Sequence, residues 1–239
     1  MTDDKAIRWH LHHVEETPST NLLARSGKAW DVFTADYQTS GRGRLDHVWL
    51  SPRGENVMMS VVLDVQDIPP VEVATLPLAV GLAVAEGLSR HVADLRIKWP
   101  NDVLCGDRKI AGILCERHAD HVIAGIGVNV RQTRFSPDIA ARATSLALQG
   151  SAATREEAQG SILDSLARVF AQWRRGGFAA LARRLKRLDF LAGRFVVLRS
   201  SDNDDAPITG ICAGIAHDGA LLVGDRRIYS GEVHVEQVT

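Results

Sequence analysis

Lysine is scarce in this chain. Of 28 basic residues only Lys5, Lys28, Lys98, Lys109 and Lys186 are lysines, and the other 23 are arginines. A net charge is missing too: 28 basic against 29 acidic side chains leave −1, which excludes a generally basic nucleic-acid binder. Cys105, Cys115 and Cys212 are odd in number and show no C-x-x-C spacing, so neither a disulfide framework nor a zinc site is indicated and a reducing cytoplasm fits. The N-terminal Met-Thr-Asp-Asp-Lys is acidic and lacks the apolar core of an export signal. The longest uncharged apolar stretch, Val73 to Ala85, is shorter than the roughly 18 residues that span a bilayer. A cytoplasmic protein with no membrane association is expected, and neither an internal repeat nor a low-complexity tract suggests otherwise.

What is present suits a globular protein. With 239 residues, 45% hydrophobic and 24% charged, the chain can bury a real core as one large domain, alone or with a small appendage. Charge is distributed unevenly. Residues 1–172 hold 18 basic and 21 acidic side chains (−3), residues 173–199 eight and one (+7), and residues 200–239 two and seven (−5). Short β-like runs at Ile7–Val14, Val32–Gln38, Asn56–Leu63, Arg96–Trp99, Ile110–Cys115 and Val122–Val130 alternate with a long helix over Val71–His91, which contains Pro77 and Gly81. Residues 154–188 read as helical, with Thr154 at the N-cap and a break at Gly176-Gly177; the arginines there read as a solvated face. From Gly193 onward, short strands at Arg194–Arg199, Ile208–Ala216, Ala220–Val223, Arg226–Tyr229 and Val233–Val238 are separated by turns such as Asp218-Gly219. They read as a small β-barrel docked on the main domain. Two domains are expected, 1–190 and 191–239. His10, His12 and His13 read as surface histidines, because strand alternation sends His13 to the opposite face.

Four segments carry chemistry. In Gln38-Thr39-Ser40-Gly41-Arg42-Gly43-Arg44, followed by Trp49, alternating glycines and arginines let backbone approach a ligand while guanidinium groups surround an anion. In Lys98-Trp99-Pro100-Asn101-Asp102, followed by Arg108-Lys109-Ile110-Ala111-Gly112, a strand ends in a turn and the chain returns through Cys105–Lys109 into a second strand. That return brings Asp102 and Lys109 to the same strand ends, where an acid and an amine could serve a divalent cation and an anionic substrate. Gly125-Ile126-Gly127-Val128-Asn129-Val130 is a strand interrupted by glycine, a sign of something packed closely on its backbone. Pro18-Ser19-Thr20-Asn21 precedes a short helical run, where Ser19 reads as an N-cap or as part of a site at the helix start. Taken singly, each segment also reads as an ordinary loop, turn or cap.

In this order and spacing the segments resemble biotin protein ligases, from about Thr17 to the C-terminus. The resemblance implies an α+β fold, with a class II aminoacyl-tRNA synthetase-like mixed sheet followed by an SH3-like barrel. It implies activation of biotin with ATP and Mg²⁺ to biotinyl-5′-AMP, then transfer to one lysine of a biotin carboxyl carrier protein of a biotin-dependent carboxylase. By motif position, Ser19, Thr20, Asn21, Gln38, Gly41, Arg42, Gly43, Arg44, Lys109 and Gly112 hold biotin. Arg42, Arg44, Trp49, Lys98, Asn101, Lys109 and Asn129 hold the nucleotide, with Ala143-Thr144-Ser145-Leu146 near the adenine. Lys109, Arg44 and Asp102 carry catalysis, and Asp102 also faces Mg²⁺. The resemblance allows a homodimer. Three residues depart from the family pattern: Asp46-His47 stands where relatives have Gly-Arg, and Glu236 stands near an arginine that some relatives aim at the nucleotide. Only 18 residues precede Ser19, too few for the helix-turn-helix of longer, DNA-binding relatives, so no DNA binding is expected. The shared fold leaves lipoate or octanoate transfer as the alternative activity, and a binding module without catalysis as the non-enzymatic one.

Overall fold

The computed structural model describes residues 7–45, 47–199 and 207–235. Of the departures noted above, Asp46 and Glu236 lie outside the described residues, whereas His47 is described. A seven-stranded mixed sheet is built from β1 (His10–Thr17), β2 (Asp31–Gln38), β3 (Val57–Asp64), β4 (Leu95–Lys98), β5 (Asp102–Cys105), β6 (Arg108–His118) and β7 (His121–Val128), in the order β1-β2-β3-β7-β6-β5-β4. Among the described strands, β1 and β2 pair in parallel and the other neighbours pair antiparallel. A five-stranded antiparallel sheet follows, from β8 (Phe195–Arg199), β9 (Ile208–Ile215), β10 (Leu221–Val223), β11 (Arg226–Ile228) and β12 (Glu232–Val235), in the order β11-β10-β9-β8-β12.

The long helix expected over residues 71–91 is two helices, α2 (Pro70–Val73) and α3 (Leu76–Leu88), preceded by the single turn α1 (Thr20–Leu23). Pro77 explains the division. It lacks an N–H and its ring excludes the carbonyl four residues back, so it is tolerated only in the first turn of a new helix, where it sits. Thr75 closes the gap by donating its hydroxyl to Glu72 O at 2.6 Å and accepting from Trp173 Nε1 at 2.9 Å. Gly81 does not break α3, because it faces the sheet, and a Cβ there would stand at ordinary contact distance from Ile113 and Ile97. Helix α4 (Arg155–Gly176) begins in a capping box between Thr154 and Glu157, buries Ile162, Leu166, Phe170 and Trp173, and ends where Gly176-Gly177 was expected to break it. A 3₁₀ turn then leads to α5 (Ala182–Leu188). The strand β5 is not among those expected from the sequence, where the Pro-Asn-Asp turn, which holds its first residue, is followed by a return over Cys105–Lys109.

The two sheets share one buried core, which runs from Val32 and Leu82 to Leu198, Leu221 and Val233. The Asp218-Gly219 turn is the junction. Gly219, with φ +84°, meets Thr75 at the start of α3, and its carbonyl accepts from the buried Trp99 indole at 3.0 Å. Asp218 secures the turn by pairing with Arg227 at 2.6 Å and accepting from Tyr229 at 2.9 Å. The Arg227 guanidinium holds the Asp218 carboxyl down at about 2 from an ordinary 3.8. A carboxylate with a depressed folded-state pKa contributes stability that is fully present above its unfolded value and lost as pH falls through the folded one. The Tm difference between wild type and Asp218→Asn is therefore expected to be constant at neutral pH, to shrink below about pH 4 and to vanish near pH 2. A difference that stays constant between pH 5 and pH 2 would contradict this. At the opposite edge of the first sheet, His10 and His12 approach Asp31 while His13 turns to Asp36, as alternation requires.

Candidate active site

Strand register builds the floor of a cleft on one face of the first sheet. Lys98 pairs with Asp102, Asp102 with Gly112, Gly112 with Gly127 and Gly127 with Met58, so these five positions form one row across five strands. A second row, Leu114–Gly125–Ser60, lies two residues along on the same face. The glycines of Gly125-Ile126-Gly127 thus point into the cleft and Ile126 into the core. A Cβ at Gly127 would lie 2.5 Å from the Trp49 ring, and one at Gly125 would lie 2.3 Å from Asn21 Oδ1. Neither leaves room for a side chain.

At one end of the cleft a polar network joins α1 to the sheet. Ser19 begins α1 in extended backbone with no capping bond from its side chain, so its buried hydroxyl is not committed to the helix. Because α1 is a single turn, the polar side chains, not a helix dipole, define this end. The Thr20 amide and hydroxyl donate to Gln38 Oε1 at 2.7 and 3.0 Å. The Ser60 hydroxyl lies 2.7 Å from Thr20 Oγ1 and 2.6 Å from Asn21 Oδ1. Asn21 Nδ2 donates to Glu116 at 2.6 Å.

Cations gather at the other end. Lys109 Nζ lies 2.6 Å from Asp102 and 5.8 Å from the centre of the Trp49 ring. Arg44 reaches Asn101 Oδ1 at 3.4 Å, and Asn101 Nδ2 in turn donates to Ile113 O at 2.8 Å. Burial pulls the Lys98 ammonium below its ordinary range, and the Asp102 carboxylate partly offsets this. Arg44 is likewise lowered by burial against the pull of Asp102 and Glu232. Glu232, Gly231 and Val233 of the second sheet form part of the wall. Residues 41–45 and 47–48 cover the cleft as the arms of a small hairpin, with Gly43 N donating to His47 O at 2.7 Å and Trp49 N to Gly41 O at 3.0 Å.

Of the residues singled out in the sequence, Ser19, Thr20, Asn21, Gln38, Arg42, Gly43, Arg44, Trp49, Lys98, Asn101, Asp102, Lys109 and Gly112 all line this one cleft. Gly41 and Asn129 do not. Gly41 is the hairpin's base, where a Cβ would lie 2.3 Å from Trp49 O. Asn129 Nδ2 donates to Thr144 O at 2.9 Å, bracing a segment, Ala143 to Leu146, that is itself buried. Sequence reasoning missed Ser60, Glu116 and Glu232. Ser60 had a signal, as the lone hydroxyl in the otherwise apolar run Val57–Leu63; the other two had none.

With this geometry in hand, similarity to known proteins becomes informative. Residues 15–131 match the family described as biotin/lipoate A/B protein ligase. The biotin--[acetyl-CoA-carboxylase] ligase of Mycobacterium tuberculosis is 34% identical over 233 residues, covering 91% of this chain and 85% of that protein. The chain belongs to the biotin/lipoate A/B protein ligase family. Within that family it is also 33% identical over 216 residues to the bifunctional ligase/repressor BirA of Escherichia coli; it spans 66% of that protein's length. The structure of biotin protein ligase from Aquifex aeolicus in complex with biotin and ATP superposes with a TM-score of 0.84 at 29% identity, covering 95% of this chain and 98% of the other. That ligase is a solved structure of the same mixed α+β architecture, with both sheets included in the match.

Proposed function

We propose that this chain is an ATP-dependent biotin protein ligase that makes biotinyl-5′-AMP and transfers biotin to a specific lysine of a biotin carboxyl carrier domain. The carrying observation is one cleft with a polar hydrogen-bonding end around Thr20, Asn21 and Gln38 and a cationic end around Lys98 and Lys109, joined by a glycine floor. The relatives named above supply the chemistry in their names, a biotin--carboxylase ligase and a ligase seen with biotin and ATP. Residues 1–190 form the catalytic domain, with the synthetase-like sheet. Residues 191–239 form the SH3-like barrel, which adds Glu232 to the cleft wall.

The polar end, with Ser19, Thr20, Asn21, Gln38 and Ser60, receives the ureido ring of biotin, whose two N–H donors and one carbonyl need paired partners. The valeryl chain then runs beside the Trp49 ring that covers Gly127 and Gly112, and its carboxylate reaches Lys109 and Arg44. There a carboxylate oxygen attacks the α-phosphorus of ATP, and the bond from that phosphorus to the bridging oxygen breaks as pyrophosphate leaves. In the second step the amine of the acceptor lysine attacks the acyl carbon, loses a proton, and AMP departs. Both steps develop negative charge beside Lys109, Lys98 and Arg44, fixed cations in a partly desolvated cleft, and such preorganised groups stabilise it without reorganising. Mg²⁺ would neutralise the departing pyrophosphate. It binds through one or two carboxylates plus substrate phosphates, and Asp102 in the cleft fits that donor set. The protein itself needs no three-ligand cage, and no cluster of three His, Cys, Asp or Glu is arranged as one among the described residues.

Mass spectrometry of a carrier domain after incubation with this protein, biotin and MgATP tests the reading directly. A single added biotin on one lysine is expected, and octanoate in place of biotin is expected to give none. A modification only with octanoate or lipoate would assign the chain to the other activity of its family. Arg44 should govern retention of the intermediate, because it closes the loop onto Asn101 across the cleft. Arg44→Gly is expected to release biotinyl-5′-AMP about tenfold faster or more, on the scale of one lost charge-assisted hydrogen bond, and to label unrelated lysines. Unchanged release in a pulse-chase with unlabelled biotin, together with unchanged acceptor selectivity, would refute that role.

A further inference from the structure

Glu116 belongs to none of the motifs, yet it connects two of them. Its Oε2 accepts from Asn21 Nδ2 at 2.6 Å, and its Oε1 lies 3.4 Å from Arg42 and 3.9 Å from Arg25. An ionised carboxylate only accepts hydrogen bonds. Together with the Leu114 carbonyl, a longer contact at 3.4 Å from the same nitrogen, it dictates which way the Asn21 amide is turned: NH₂ toward Glu116, oxygen toward Ser60. The reverse orientation would set the amide oxygen against the carboxylate and the NH₂ against the Ser60 hydroxyl. In the observed one, Asn21 Oδ1 is the atom that stands over Gly125 at the polar end of the cleft. The same carboxylate holds Arg42, the first arginine of the loop that covers the cleft. One side chain, three-quarters buried, thus touches both the head-group network and the lid.

We propose that Glu116 is a positioning residue with two separable tasks: it fixes the donor–acceptor polarity of the head-group site through Asn21, and it tethers the 41–48 loop through Arg42. The inference rests on the biotin-ligase function proposed above and names a determinant of that site outside the four segments singled out in the sequence. The two tasks separate because glutamine can still offer an oxygen to Asn21 Nδ2 but has no charge for Arg42.

The test compares wild type, Glu116→Gln and Glu116→Ala by calorimetric titration with biotin alone and by the rate of biotinyl-5′-AMP release, with circular dichroism as the control for folding. Glu116→Ala is expected to weaken biotin about tenfold, the scale of a lost bond to a charged group, while Glu116→Gln stays within about twofold of wild type. Both variants are expected to release adenylate about two- to fivefold faster, as befits a partly exposed ion pair. Adding Glu116→Gln to Arg42→Gln should accelerate release no further than Arg42→Gln alone does, because the tether is already lost with the arginine. Should Glu116→Ala fail to fold, this pair of variants still decides the tether, and a fully additive result overturns it. Biotin affinity in folded Glu116→Ala equal to that of wild type overturns the polarity task, as does a loss in Glu116→Gln as large as in Glu116→Ala. The wild-type arm separates the two levels: a wild type that neither binds biotin nor makes adenylate ends the functional reading and this inference with it, whereas an active wild type beside unaffected variants ends only the inference.

Discussion

Replacing Lys109 by alanine is expected to lower biotin-dependent pyrophosphate–ATP exchange by about 10²–10³-fold, the scale of removing one preorganised charge-stabilising donor, while leaving the fold intact. The two halves of this expectation have different sources. The loss comes from position: the Lys109 ammonium stands at the edge of the glycine floor, 2.6 Å from Asp102 and beside Trp49, where the carboxylate and α-phosphate would meet. The intact fold comes from how the residue is held. Its backbone N–H donates to Arg142 O at 2.7 Å and its carbonyl accepts from Thr144 at 2.9 Å, and alanine keeps both bonds. Its ammonium is partly exposed, so truncation leaves no buried cavity of consequence, although Asp102 loses its counter-charge. Arginine should not restore the rate, because a planar fork cannot occupy the space of a compact ammonium between Asp102 and Trp49. An exchange rate in Lys109→Ala within a factor of three of wild type would remove the residue from the mechanism.

The second large effect is expected from adding a single methyl group. In Gly125→Ala the new Cβ would stand 2.3 Å from Asn21 Oδ1, well inside contact distance, and Asn21 has little freedom to yield because Ser60 and Glu116 hold its two ends. The amide must break from at least one of them. Losing about two hydrogen bonds at ~1–1.5 kcal/mol each corresponds to a biotin Kd raised about 10²-fold. Overpacking of this kind also costs about 1–3 kcal/mol of stability, visible as a lower Tm. ATP affinity, read at the cationic end, should move far less. Calorimetric titrations with biotin and with ATP check the contrast; equal losses for both ligands would mean that the whole sheet had shifted, and no loss of biotin affinity would mean that Asn21 is not in the head-group site.

Most of the cleft was legible in the sequence because its residues are carried on short, contiguous motifs. Gly41 to Trp49, Lys98 to Asp102 and Gly125 to Gly127 each announce a backbone with something close to it, and strand alternation alone puts Gly125 and Gly127 on one face. Residues that join the motifs were not legible. Glu116 follows Ile-Leu-Cys with no pattern of its own, and its importance arises only when β6 passes beneath α1. Glu232 comes from a second sheet more than a hundred residues away from Lys98 in sequence, and it reaches the cleft through the docking of the Asp218-Gly219 turn. Asn129 stands apart from the cleft for a related reason. A strand-end amide suits a ligand, but here the neighbouring segment claims it, and only the fold shows that Thr144 is within reach. The helix over residues 71–91 was over-long in the sequence because apolar content carried the pattern through Pro77, a residue whose steric demand is local and decisive.

The bond between the Trp99 indole and the Gly219 carbonyl has a consequence for how such a protein can diversify. Trp99 stands between Lys98 and the Asn101-Asp102 turn, so the part of the cleft that would meet the nucleotide is propped from behind by a turn of the other sheet. The C-terminal sheet is therefore not an interchangeable appendage. A replacement from a distant relative would have to bring a carbonyl to the same indole and a wall residue to the position of Glu232. Substitutions in the two sheets should consequently be inherited together, and a chimera joined between them should lose its grip on the nucleotide before it loses its grip on the acyl group.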